Sequence, residues 1–289
     1  PQGDQETPAY KAQEITDFTG ICTAIMPFPN PAGNYWLDDA SDDRVSGVSL
    51  WVTEGADGEK FWGTSELFVG AEEIDGDYDG KGETKWYGTQ TAISPTEVHI
   101  EALVVGTGTE GNVKGMFAEW TYEMTFNPTT MEGFFYEFEG YLAPKQLTNT
   151  LKLIKASGPM EVQPPGHPDN DCGGDFFRLY ISGSGNCSHL GHFTVENKVC
   201  FHFDEAMNIV PVSDWLGYLT AANGDMIYTQ LVYSWEMNGM SYYLYDVLDG
   251  TGRFEGASGY IENYGTSEFD PDNPMIGTWE LEGEGIIVH

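Results

Sequence analysis

The residues best suited to chemistry in this chain are carboxylates spaced one residue apart. Asp75-Gly-Asp77-Tyr-Asp79-Gly80-Lys-Gly-Glu83 alternates acids along a stretch that bends at glycine. That spacing gathers hard oxygen donors around a calcium ion, with Asp75, Asp77, Asp79 and Glu83 as candidate ligands. It is not an EF-hand. The twelfth position, which would carry a bidentate Glu, is Trp86, and no helical pattern flanks the loop. The plainer reading is an acidic hairpin turn. Asp169-Asn-Asp171-Cys-Gly-Gly-Asp175 is a second calcium candidate through Asp169, Asp171 and Asp175. Asp38, Asp39, Asp42 and Asp43 form a third cluster, which reads as a solvated loop, and Asp270-Pro-Asp272-Asn273 reads as a turn.

No nucleophile stands in a catalytic arrangement. Cys187-Ser188-His189 are consecutive, and neighbours on a strand point to opposite faces, so they cannot act as nucleophile and base. His189, His192 and His202 read as surface or satisfied histidines. Four cysteines, Cys22, Cys172, Cys187 and Cys200, lack zinc-finger spacing and are disulfide candidates, with Cys187 read as a disulfide half. Four allow three pairings, among which the sequence does not choose. Trp51, Trp62, Trp86, Trp120, Tyr122, Trp235, Tyr242, Tyr243 and Tyr245 either line a pocket for a sugar or lipid-like molecule or pack a core. Nothing selects a carboxylate pair for acid–base hydrolysis, so no catalytic residue is assigned.

The elements that must position these groups are strands. The chain of 289 residues carries 46 Asp plus Glu against 12 Lys plus Arg, a formal net charge of −34. Such a surface repels phosphate backbones and anionic membranes, which excludes nucleic acid as a partner. Aromatic residues make up 14% of the chain, too many for a disordered acidic tail. No apolar run reaches the length of a membrane-spanning helix. The start at Pro1 fits a processed chain, and the even cysteine count fits an extracellular or cell-surface location.

Residues 1–14 read as a polar arm, able to add a strand to a sheet edge. From 15 to 145, period-two alternation in Val45–Val52 and Val98–Val104 and the aromatic runs Met116–Phe126 and Phe134–Leu142 predict strands. Asn30-Pro31, Asp57-Gly58, Asp79-Gly80, Gly106-Thr-Gly108 and Asn127-Pro128 separate them as turns. Residues 146–175 read as an interdomain connector with a contingent edge strand. From 176 to 289 strands resume, with a hairpin expected to turn near Glu196-Asn197 and a turn at Ala221-Ala-Asn-Gly-Asp225. Tyr245–Gly265 reads as strand, glycine turn, strand.

A shift of 144 residues lays Gly47 on Gly191, Gly80 on Gly224, Gly106 and Gly108 on Gly250 and Gly252, Gly115 on Gly259, and Gly133 on Gly277. Six coincident glycines exceed the roughly two expected by chance and point to an internal duplication. The expected fold is all-β, two tandem antiparallel β-barrels related by that repeat.

Gly185-Asn-Cys-Ser-His-Leu-Gly-His-Phe-Thr194, Ala221–Asp225 and Gly250–Gly259 resemble a family of bacterial secreted proteins with the calycin-like barrel of the allene-oxide-cyclase and dirigent type. The resemblance covers 176–289, and 15–145 only through the repeat. It implies an eight-stranded barrel. The cyclases' active-site residues have no residue-by-residue counterpart here, so it carries no catalysis over.

Three functional expectations follow. The first is a secreted, non-enzymatic assembly subunit, a homo-oligomer or filament joined by strand addition and stabilised by calcium. The second is a module that binds a small molecule or carbohydrate in a barrel mouth. The third is a cyclase or isomerase, which requires a buried carboxylate or histidine of shifted pKa in a lumen.

Overall fold

The computed structural model describes residues 14–25, 33–74, 76–130, 133–204 and 209–289. The described residues form strands, turns and short 3-10 turns, divided into two compact units at Leu147/Thr148.

The first unit is a closed eight-stranded meander: β1 (Thr16–Ala24), β2 (Asn34–Ala40), β3 (Gly47–Asp57), β4 (Lys60–Val69), β5 (Gly80–Ser94), β6 (Glu97–Gly111), β7 (Phe117–Phe126) and β8 (Phe135–Ala143). Each strand pairs antiparallel with the next, and β1 closes on β8 in a register that sets Cys22 opposite Tyr136. Alternation directs one face of every strand inward. In β7, Tyr122 and Met124 enter the core while Thr121, Glu123 and Thr125 face water. The lumen is filled by aromatics from facing strands. Tyr122 stacks on Tyr136 with centroids 4.2 Å apart, and Trp51 lies 5.7 Å from Trp86 and 5.8 Å from Tyr122.

The second unit repeats the meander with β9 (Thr148–Gln163), β10 (Phe177–Cys187), β11 (Gly191–Phe203), β13 (Leu216–Ala221), β14 (Met226–Met237), β15 (Met240–Gly250), β16 (Ser258–Asp270) and β17 (Asn273–Val288). β17 pairs with β9, and β10 with both β9 and β11, which closes the barrel. A short strand, β12 (Ile209–Pro211), lies against the end of β11. The two tandem antiparallel barrels expected from the repeat are therefore present, with the same strand order. At the offset of 144, β5 to β8 fall on β14 to β17. Two of the six glycine pairs also share a positive φ. Gly115 and Gly259 have +82° and +117°, and Gly47 and Gly191 have +149° and +70°. A side chain is strained at each of these positions.

Three local expectations are corrected. The supposed connector at 146–175 holds β9, sixteen residues long, and only the loop 164–176 is irregular. Lysines and polar residues disguised β9 because its outward positions, such as Lys152 and Lys155, carry them, while Leu151, Ala156 and Met160 point inward. Gly106-Thr-Gly108 is not a turn but lies inside β6, and the chain reverses at 112–115. A Cβ on Gly108 would collide with the Val113 carbonyl, so glycine admits the returning chain there. Glu196-Asn197 is not a hairpin either: β11 runs straight through it, and Asn197 faces the lumen.

Candidate functional site

The lumen of the second barrel holds a cavity of about 180 Å³. Its walls are mainly aliphatic, with Leu179, Val195, Leu219 and Ile261 each sent inward by strand alternation. It reaches the surface beside Ser267 and Phe269 of β16, the latter 40% exposed. Side-chain volume differs between the two lumens at one inward position. At the repeat offset, Trp51 of the first barrel corresponds to Val195 of the second, and both belong to their barrels' cores. Among the described residues of the first barrel, two interior spaces measure about 10 and 30 Å³, of the size of a water molecule. Larger depressions on that barrel, up to about 820 Å³, include exposed Thr121, Glu123, Glu137 and Glu139 among their lining.

A few polar tips enter the apolar cavity. Asn197 on β11 donates through Nδ2 to the Tyr245 hydroxyl on β15 at 3.4 Å, a bond across the lumen. Asn197 lies opposite room that glycine provides. Asn197 is the cross-strand partner of Gly217, and a Cβ there would strike the Asn197 amide. Asn263 on β16 faces Gly283 of β17 in the same way. The Asn263 Oδ1 and the Trp215 Nε1 are buried without a hydrogen-bond partner, and both residues line the cavity. Burial pushes the Tyr245 phenol above its ordinary pKa, with the neighbouring Tyr243 adding to the effect, so it remains a neutral donor. Burial likewise pushes the Cys187 thiol, which lines the cavity, up to about 11. No lysine, arginine or histidine is among the lining residues.

The first barrel buries a different group. Asp38 on β2 is the cross-strand neighbour of Cys22 on β1, which in turn faces Tyr136 on β8. Trp51 Nε1 donates to Ser49 Oγ at 2.8 Å, and the Ser49 hydroxyl and Cys22 thiol hydrogen-bond to Asp38. Burial raises Asp38 to about 6, against the lowering effect of those two bonds, and burial also raises Cys22. The Tyr136 hydroxyl is buried without a partner of ordinary geometry. A lumenal carboxylate of shifted pKa was the requirement set for an isomerase. Asp38 meets it, but the adjoining space of about 10 Å³ admits no organic substrate. The acidic cluster at 38–43 is thus not simply a solvated loop. Asp42 caps a short 3-10 turn and pairs with Arg44 at 2.6 Å, while Asp38 is interior.

Of the calcium candidates, Asp75 lies outside the described residues. Asp77 and Asp79 are exposed, and Glu83 sits in β5 opposite Glu66, which takes an ion pair from Lys81 at 2.6 Å. In the second loop, Asp171 faces Arg178 at 3.5 Å and Lys198 at 3.6 Å, and the Asp169 carbonyl accepts from Arg178. The Asp171 carboxylate turns toward basic side chains, and Asp169 meets Arg178 through its backbone carbonyl. Among the described residues no group of three acidic, histidine or cysteine side chains is placed to hold a metal ion.

Cys172 and Cys200 form a disulfide with Cα atoms 5.5 Å apart, clipping the 164–176 loop to β11. Cys187 and Cys22 are free and buried. The expectation that Cys187 is a disulfide half is corrected: strand alternation sends it into the lumen, whereas Cys200 points outward to the loop. His189, His192 and His202 are exposed, and Asp270 accepts from the Asp272 amide at 2.8 Å, as a turn does. Of the aromatics expected to line a pocket, Tyr243 and Tyr245 do so, whereas Trp51, Trp86 and Tyr122 fill the first barrel. Residues 1–13 of the arm lie outside the described residues. Among the described residues, no helix is long and apolar enough to cross a membrane.

Sequence reading missed Asn197, Trp215 and Asn263 as lumenal groups and placed Asp38 in a solvated loop. The signal available was parity: Val195-x-Asn197-x-Val199 and Trp36-x-Asp38 each set a polar residue in an inward, apolar register. No protein-family model matches this chain, and neither the curated proteins nor the solved structures provide a relative.

Proposed function

We propose that the protein is a small-molecule binding module whose ligand occupies the second barrel, with the first barrel as a solid companion domain. The observation that carries this reading is the apolar cavity of about 180 Å³ in one barrel lumen, set against a duplicate whose lumen is filled. A cavity of about 150 Å³ with aliphatic and aromatic walls takes up benzene, so this one suits a ligand of single-ring size. A duplicated barrel that replaces Trp51 with Val195 has lost core packing at that position, and a ligand would restore it. The Cys172–Cys200 disulfide supports a location in an oxidising compartment outside the cytosol. The acidic surface favours solubility there and disfavours anionic ligands.

The test is calorimetric titration and thermal unfolding of the full chain with benzene and toluene, comparing wild type with Val195→Trp. Occupancy at ten times Kd stabilises the native state by about 1.4 kcal/mol. Wild type should bind and gain thermal stability, and the filled variant should do neither. Lack of any heat or thermal shift in wild type would sink the reading.

A further inference from the structure

We infer that the cavity selects a neutral amphipathic ligand: a mainly apolar body carrying a polar group, such as a hydroxyl, that both donates and accepts a hydrogen bond. The inference rests on the binding reading above and adds what the site demands of its occupant.

Two buried polar atoms at the cavity have no partner among the described residues, the Asn263 Oδ1 and the Trp215 Nε1. One accepts and the other donates. Buried polar atoms are nearly always satisfied, and each one left without a partner is costly. Trp215 immediately precedes β13, and Asn263 lies within a strand. Asn263 occupies the inward register of β16 between Ile261 and Gly265, and Gly283 across the strand pair leaves the space its amide fills. By contrast the other inward amide, Asn197, is engaged by the Tyr245 hydroxyl. That hydroxyl accepts the Asn197 bond and keeps its own proton to offer. The cavity therefore presents one amide acceptor and two donors on walls that are otherwise apolar.

Charge narrows the class further. No cationic side chain lines the space to receive an anion, and the single lining carboxylate, Glu284, holds an exposed position on β17 opposite Lys152. Placing an ion in an apolar lumen without a counter-charge is far costlier than placing a hydroxyl that finds partners. The ligand class is thus a neutral ring or short branched chain with one hydroxyl, or a group of like capacity.

The probes are benzene, phenol and benzoate, titrated into the full chain at pH 7 and followed by calorimetry and amide shifts. In an apolar cavity without partners, phenol binds more weakly than benzene because it sheds its water hydrogen bonds. Here phenol should bind about tenfold tighter than benzene, and benzoate should not bind. The double variant Asn263→Leu/Trp215→Phe should keep benzene binding and remove the phenol preference. Phenol binding no tighter than benzene, or a preference that survives in the double variant, overturns the inference while leaving the binding reading in place. Failure of all three probes overturns the binding reading itself. Because the wild-type comparison decides the sign unaided, a double variant that does not fold leaves the test intact.

Discussion

Asp38→Asn should change how the protein's stability depends on pH, by an amount the first barrel's interior dictates. Asp38 is closed into the lumen beside Cys22, Ser49 and Tyr136, and burial raises its pKa from the ordinary 3.8 to about 6. The native state therefore holds the proton more tightly than the unfolded chain does. The stability contributed by protonation is fully present below about pH 4 and is lost as pH rises through about 6. At about 1.4 kcal/mol per pKa unit, the complete swing is about 3 kcal/mol. Near the sequence isoelectric point of about 4.1 solubility fails, so the useful window is pH 5 to 8. Over that window linkage gives a loss of about 1.4 kcal/mol. An asparagine keeps the shape and still accepts from the Ser49 hydroxyl. The assay is equilibrium urea unfolding followed by tryptophan fluorescence at several pH values. General relief of the −34 charge on acidification is common to both proteins and cancels in their difference. That difference should favour the variant increasingly from pH 5 to 8, with its inflection near 6. Parallel pH curves would refute the assignment of Asp38 as a dry, ionisable lumenal acid.

Two further outcomes follow from the same structures. Replacing Cys172 and Cys200 together by serine opens a loop of sequence separation 28, which should cost about 3.5 kcal/mol in the unfolding of the second barrel on chain-entropy grounds. The unfolding midpoint of reduced wild type should match that variant, and a midpoint equal to that of oxidised wild type would refute the link. Gly108→Ala drives a methyl against the Val113 backbone carbonyl, which cannot step aside, and should destabilise the first barrel by about 1–3 kcal/mol in a urea titration. An unchanged midpoint would show that the 112–115 reversal is not packed as described.

Alternation of apolar and polar residues, glycine at turns and the recurrence at 144 residues were enough to read two tandem antiparallel barrels, because those patterns are local or periodic and survive in one dimension. What they could not separate is a glycine that turns the chain from one that lets strands touch. Gly106 and Gly108 look like a turn and lie inside β6 because their partners across the sheet, Thr84 and Gly82, are remote in sequence. β9 escaped notice for a related reason: its lysines lie on the outward face, and only pairing with β10 and β17 reveals its inner row. Cysteine pairing had the same limit, since four residues permit three solutions until strand faces are known, and Cys187 proved lumenal. The candidate site was the least legible part. Asn197, Trp215, Asn263 and Tyr245 come from four strands or their edges, and each is an ordinary residue on its own element. They become a site only when the barrel closes. Volume within a lumen is a sum over all its strands, which no single stretch of sequence states.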